Sequence, residues 1–87
     1  MAALLTSEQL RAARAMLRLE QKALSDASKV SLATIKRLEG IRGQLIANRP
    51  TIAALQGALE SAGVEFIDEN GGGPGVRLRE RLSRPGK

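Results

Sequence analysis

Cationic side chains cluster in the middle of this 87-residue chain, where they could bind an anionic partner. Residues 29–49 hold five cations and one carboxylate: Lys29, Lys36, Arg37, Arg42 and Arg49 against Glu39. Guanidinium and ammonium groups bind phosphate oxygens, and a small basic domain most often binds nucleic acid. The net charge of the whole chain is +5, which alone is also consistent with a surface that is charged only for solubility.

Other chemistries lack the residues that they need. The chain has no histidine and no cysteine, so the usual base and nucleophile pairs are missing. The serines, threonines and carboxylates show no catalytic spacing. The glycine-rich run at 71–75 is not followed by Lys-Ser or Lys-Thr or by a helix start, so it indicates a turn and not a phosphate-binding loop. We therefore expect a protein that is not an enzyme and binds no cofactor and no metal.

Length and composition predict one small domain in the cytoplasm. Phe66 is the only aromatic residue, so the core must be aliphatic. The lack of cysteine suits a reducing compartment. No apolar run approaches the roughly 20 residues of a membrane span, and the N-terminus lacks a signal-peptide pattern. We expect no membrane partner.

Apolar spacing and capping residues predict three helices in the first half of the chain. Thr6 followed by Gln9 has capping-box spacing, so the first helix should begin near Ser7. A second is predicted over residues 21–28, and a third, capped by Ser31, over 32–38. The positions predicted to be buried are Leu10, Ala13, Leu17, Leu24, Ala27, Ile35 and Leu38.

A loop and a fourth helix follow. Residues 40–48 contain two glycines and indicate a loop, from which Leu45 and Ile46 are expected to pack on the core. Asn48 and Pro50 are typical of a helix start. This helix has an apolar face and should end at Gly63 in a left-handed cap. The apolar face consists of Ile52, Leu55, Ala58 and Leu59.

The last third of the chain predicts a β-hairpin. Residues 64–67 and 76–79 are β-prone runs separated by a turn-rich segment of eight residues. We divide the chain into a helical bundle (1–63), the hairpin (64–79) and a flexible basic tail (80–87). The arginines at 77, 79, 81 and 84, with Lys87, are predicted to form either a further DNA-binding arm or a solvated strand face.

Residues 21–39 carry the most specific pattern, QKALSDASKVSLATIKRLE. Apolar residues stand where two short crossing helices meet, and the small Ser25 lies where they approach most closely. This pattern resembles the Cro and phage-repressor type of helix-turn-helix, the XRE-like family of small bacterial transcriptional regulators. The run AGVEFIDENGGGPGVRL at 62–78 resembles a C-terminal hairpin extension found in such regulators. The resemblance implies a mainly α fold, a lambda-repressor-like bundle of four to five helices followed by the β-hairpin.

One position departs from this pattern: Lys29 occupies the turn, where the family usually has glycine. A lysine with positive φ costs roughly 1 kcal/mol there. The turn is therefore expected to be strained or differently shaped, or Lys29 uses its charge against a phosphate.

The resemblance also implies roles for individual residues. Gln21 would bind a phosphate while bracing the recognition helix, and Arg14 with Glu39 would form a structural ion pair. The residues implied to read base edges are Leu32, Ala33, Lys36 and Arg37, of which Arg37 suits guanine best. The residues implied to contact phosphates are Ser31, Thr34 and Arg42.

The function predicted from these residues is transcriptional regulation by a homodimer on a palindromic site in double-stranded DNA. The alternative is an adaptor, such as an antitoxin or an antiactivator, that uses the same fold to bind a protein. The hairpin is the predicted dimer interface because a lone hairpin leaves two strand edges open. The residues predicted for it are Val64, Phe66, Ile67, Val76 and Leu78, with Phe66 as apolar anchor. Helix four, through Ile52 or Leu59, is the rival interface.

Overall fold

The computed structural model describes residues 3–80, which form four helices and a C-terminal antiparallel hairpin. The mainly helical prediction and the position of the hairpin are confirmed. The predicted tail, with its basic residues at 81, 84 and 87, lies almost wholly outside the described residues. No helix within 3–80 is long and apolar enough to cross a membrane. The elements are α1 (Ser7–Leu17), α2 (Gln21–Ser28), α3 (Leu32–Glu39), α4 (Arg49–Ala62), β1 (Val64–Ile67) and β2 (Gly75–Leu78).

The predicted caps set the helix ends. Thr6 accepts a hydrogen bond from the main-chain N–H of Gln9, and Gln9 accepts one from that of Thr6, so the capping box is present. Ser31 and Asn48 cap α3 and α4. Gly63 has a φ of 127°, positive but larger than the predicted left-handed cap requires, and the chain turns there into β1.

One aliphatic core holds the helices and the hairpin together. The predicted core positions on α1, α2 and α3 are mostly buried, and Leu55 and Leu59 bury the inner face of α4. Ile52 and Ala58 are only half-buried. The buried apolar residues are Leu4, Leu10, Ala13, Leu24, Ile35, Leu38, Leu45, Leu55, Leu59, Val64 and Phe66.

Two predicted burials are wrong. Ala27 is exposed and Ser28 is buried in its place, because Ser28 lies four residues after Leu24 on the inner face of α2. Ile46 is 72 % exposed, because the neighbouring Leu45 takes the position that points into the core.

The hairpin pairs Val64 with Leu78 and Phe66 with Val76, so these four side chains share one face. That face packs against α1 and α4. Val64 and Phe66 are 0 % and 4 % exposed within a single chain. The prediction that Val64 and Phe66 contact a second subunit is therefore corrected: both side chains belong to the chain's own core. Val76, Leu78 and Ile67 remain half-buried.

Gln9 connects the start of the chain to the hairpin. This side chain is buried, and its Oε1 accepts hydrogen bonds from the main-chain N–H groups of Leu5 (2.8 Å) and Thr6 (3.0 Å). Its Nε2 donates to the carbonyl of Gly75 at 2.9 Å. One amide thus closes the capping box of α1 and holds the first residue of β2.

We predict that Gln9→Glu separates these two roles. The carboxylate keeps both acceptor contacts but loses the donor to Gly75, so the free energy of unfolding should fall by about 2 kcal/mol. Chemical denaturation measures this loss, and amide hydrogen exchange should show faster exchange across the hairpin. Thr6→Ala is the control: it removes the cap, costs about 1 kcal/mol and leaves hairpin exchange unchanged. Unchanged exchange in Gln9→Glu would show that Gln9 does not hold the hairpin.

Candidate nucleic-acid interface

The turn between α2 and α3 is held by short polar contacts. Lys29 adopts the left-handed conformation (φ 65°, ψ 16°), and its N–H donates to the carbonyl of Ser25 at 2.9 Å. The Ser25 hydroxyl donates to the carbonyl of Val30 at 2.6 Å, and the Ser28 hydroxyl accepts from the N–H of Val30 at 3.2 Å. Of the outcomes expected for this turn, the structure has the strained one: Lys29 has a positive φ where glycine would fit without strain.

The start of α3 is fixed by Ser31. Its hydroxyl oxygen accepts a hydrogen bond from the main-chain N–H of Thr34 at 3.1 Å and donates to the Thr34 hydroxyl at 2.9 Å. Both contacts are exposed. The two predicted phosphate-binding hydroxyls therefore lie together at the N-terminal end of α3, where a helix attracts anions.

The other end of α3 is tied to α1 and α2 through Glu39. The Arg14 guanidinium binds this carboxylate through two hydrogen bonds, Nε to Oε2 at 2.6 Å and Nη2 to Oε1 at 2.7 Å. Gln21 Nε2 donates to the same Oε1 at 2.9 Å, and Arg14 also donates to the carbonyl of Leu19 at 2.8 Å. The predicted ion pair is confirmed, and so is the bracing part of the role predicted for Gln21.

Burial makes this pairing obligatory. The side chains of Arg14 and Glu39 are 22 % and 7 % exposed. Burial by itself would raise the pKa of the Glu39 carboxyl, but hydrogen bonds from Arg14 and Gln21 and the arginine charge outweigh it and lower the pKa. Glu39 is therefore ionised, and its charge is compensated inside the protein.

The predicted base-reading residues lie together on the outer face of α3. At 100° per residue, Leu32, Ala33, Lys36 and Arg37 span an arc of about 140°, while Ile35 and Leu38 point to the core. Ala33, Lys36 and Arg37 are exposed, and Leu32 is half-buried. Because Glu39 is neutralised by Arg14, this face presents cations without a competing carboxylate from α3.

The loop after α3 is held beside this face by contacts that sequence reasoning missed. The Glu8 carboxylate accepts from the N–H of Gly43 (3.0 Å), and Leu45 donates to the carbonyl of Leu5 (2.9 Å). Hydrogen bonds from its own main-chain N–H and from that of Gly43 lower the pKa of the Glu8 carboxyl. These contacts place the exposed Arg42 on the surface next to the end of α3.

Arg37 also contacts this loop. Its Nη1 donates to the carbonyl of Ile46 at 3.2 Å, so the predicted guanine-reading side chain leans across the end of α3 towards the loop. Nothing in the spacing of the sequence signals this contact, because the acceptor is a main-chain carbonyl. The contact is exposed and leaves other guanidinium N–H groups available for a ligand.

Comparison with models of known protein families finds no match to this chain, and comparison with curated proteins finds none either.

We predict that Glu39→Gln lowers the free energy of unfolding by about 3 kcal/mol at pH 7, because it strands the partly buried Arg14. The double variant Arg14→Met with Glu39→Gln should lose less than the sum of the two single losses, as thermal melts would show. Strictly additive losses would contradict a coupled pair.

The Glu39 carboxyl should also make the free energy of unfolding depend on pH. The pKa of folded Glu39 lies below its ordinary value of 4.5, so its stabilisation is fully present above pH 4.5 and is lost as the pH falls through the lower, folded value. Denaturation of the wild type between pH 7 and pH 3 should show this loss. In Glu39→Gln the loss should be smaller, with the fall due to Glu8 remaining.

A substitution at Lys29 should raise the free energy of unfolding. Lys29→Gly should stabilise the protein by about 0.5–1 kcal/mol, because glycine adopts positive φ without strain. This corresponds to a rise of roughly 4 °C in Tm for a domain of this size. Lys29→Ala removes the charge but keeps the strain, so an equal rise in that variant would contradict the conformational explanation.

Proposed function

We propose that this chain is an XRE-like regulator of the Cro and phage-repressor type, and that its homodimer binds double-stranded DNA with α3 in the major groove. The observation that carries the proposal is the orientation of α3: its inner face and its last residue are fixed by the core and by Arg14, while its outer face is exposed and cationic. This is the arrangement that a lambda-repressor-like helix-turn-helix needs, because the second helix must present one rigid face to the groove.

The size of α3 and the groups at its two ends support the proposal. An α-helix with its side chains is about 10–12 Å across, which fits the roughly 12 Å width of the major groove. The N-terminal end of α3 carries Ser31 and Thr34, and its far end is followed by Arg42. Polar groups that suit phosphates therefore flank the face that suits base edges.

Each residue then has a chemical role. Arg37 makes a bidentate contact with guanine, and Lys36 binds a base edge or a nearby phosphate. Leu32 and Ala33 contact thymine methyl groups. Gln21 gives one amide hydrogen to Glu39 and has a second for a phosphate. Phosphates are bound by the remaining polar residues, Lys29, Ser31, Thr34 and Arg42. None of these roles requires catalysis or a cofactor.

One observation favours a second candidate function, the protein-binding adaptor. Ile46 is 72 % exposed beside Arg37, and an apolar side chain next to a cation is also suited to a protein surface. Salt dependence separates the two functions: binding to random duplex DNA should weaken steeply as salt rises, since phosphate contacts release counterions. A protein that shows no such binding would support the adaptor and contradict the regulator.

Two variants, each of which removes one guanidinium, test which arginine reads a base. Duplexes selected from random DNA by the purified protein provide the specific site. We predict that Arg37→Ala weakens binding to this site by roughly 1–3 kcal/mol and relaxes the preference at one base pair. Arg42→Ala should weaken binding to specific and scrambled DNA equally, because phosphates carry no sequence information. If both variants leave the ratio of specific to scrambled affinity unchanged, Arg37 does not read a base.

A further inference from the structure

The hydrogen-bond pattern of the hairpin shows which groups of β2 point outward. The N–H of Arg79 donates to the carbonyl of Gly63 at 2.8 Å, which makes these two residues a hydrogen-bonded pair. Pairs alternate along an antiparallel ladder, so Arg77 with Glu65 is the next hydrogen-bonded pair. The N–H and C=O groups of Val76 and Leu78 therefore point away from β1.

These outward groups form an open edge. Within residues 3–80, no hydrogen bond reaches the outward main-chain groups of Val76 or Leu78, and Gln9 takes only the carbonyl of Gly75. The equivalent groups of β1 belong to Val64 and Phe66, which are 0 % and 4 % exposed as whole residues. Among the described residues, the outward groups of β1 are therefore covered, whereas those of β2 belong to half-buried residues and are left open to another strand.

We propose that β2 pairs with β2 of a second copy of this chain, antiparallel and about a two-fold axis that passes beside Arg77. This inference rests on the homodimer of the proposed function and names the surface through which the dimer forms. The hairpins of the two chains then make one four-stranded sheet with the two β2 strands at its centre.

The edge is complementary to itself in this register. Val76 lies opposite the partner's Leu78, and Leu78 lies opposite the partner's Val76, so each of the two pairs exchanges two main-chain hydrogen bonds. Both side chains are half-buried on the inner face of the hairpin, and pairing brings four apolar side chains together there. A sheet edge that matches itself in this way favours an isologous dimer over an open chain of copies.

The charged side chains on the outer face of the hairpin are compatible with this pairing. Arg77 faces the partner's Arg77 across the axis, a repulsive contact if each stood alone. Each guanidinium, however, binds Glu65 of its own chain, with Nε 2.5 Å from Oε1. The exposed face of the joined sheet thus carries a row of carboxylate, guanidinium, guanidinium and carboxylate with no net charge.

Cysteine cross-linking tests the register. Residues that face each other in a pair without hydrogen bonds have Cβ atoms about 4.5–5.5 Å apart, close enough for a disulfide after a small shift. The chain has no cysteine of its own, so Arg77→Cys should form a covalent dimer under mild oxidation. Arg79→Cys, directly after the end of β2, is the control. Its two copies would lie about 13 Å apart, and it should cross-link at least tenfold more slowly. Equal rates in the two variants would overturn the proposed register.

Val76→Pro tests, without an introduced cysteine, whether the outward N–H of residue 76 is needed for the dimer. Proline removes the outward N–H but none of the ladder bonds to β1, a substitution that edge strands tolerate. Sedimentation of the full chain at 100 µM should give a dimer for the wild type and for Val76→Ala, which keeps the N–H, and a monomer for Val76→Pro with an unchanged circular dichroism spectrum. A monomeric wild type, or a Val76→Pro variant that stays dimeric, would overturn the proposal.

These readouts are independent of DNA. A dimer that behaves as predicted but shows no salt-dependent DNA binding would uphold the interface and contradict the proposed function. A monomeric wild type that binds DNA with steep salt dependence would contradict the interface and the homodimer but would uphold DNA binding by the chain.

Discussion

The paired hydrogen bonds between Arg14 and Glu39 are the constraint on which the rest of the molecule depends. A carboxylate that is 7 % exposed is stable only if its charge is compensated. Arg14 of α1 supplies that charge, and Gln21 of α2 adds a hydrogen bond. The planar guanidinium accepts one geometry of the carboxylate, so the contact fixes the rotation of α3 as well as its position. The outer face of α3 is cationic because the one carboxylate on the helix is occupied inside the protein.

A second set of polar contacts fixes what surrounds α3. Glu8 holds the loop at Gly43, and Gln9, the next residue, holds β2 at Gly75. The first turn of α1 therefore positions both the loop that follows α3 and the hairpin. The hairpin packs on α1 and α4, which leaves the cationic face and the open strand edge on separate elements. The proposed contact with DNA and the proposed contact with a second chain would therefore not compete.

Local signals in the sequence predicted much of this structure. Capping residues placed the helix starts, and the resemblance of residues 21–39 to the Cro and phage-repressor type implied the pair of Arg14 and Glu39. Contacts between distant residues were not predictable: Gln9 and Gly75 are 66 positions apart, and Glu8 and Gly43 are 35 apart. Phe66 illustrates the same limit, because alternation shows which side chains share a strand face but not whether that face meets the chain's own helices or a partner.

The central claim is that the outer face of α3 meets DNA, and nuclear magnetic resonance measures this most directly. Backbone amides would be followed while a short duplex is titrated into the labelled full-length protein. We predict that the largest shift changes fall on residues 29–37 and on Arg42, and that they shrink as salt rises. Shift changes concentrated on the hairpin or on the exposed side of α4, with α3 unaffected, would contradict the claim.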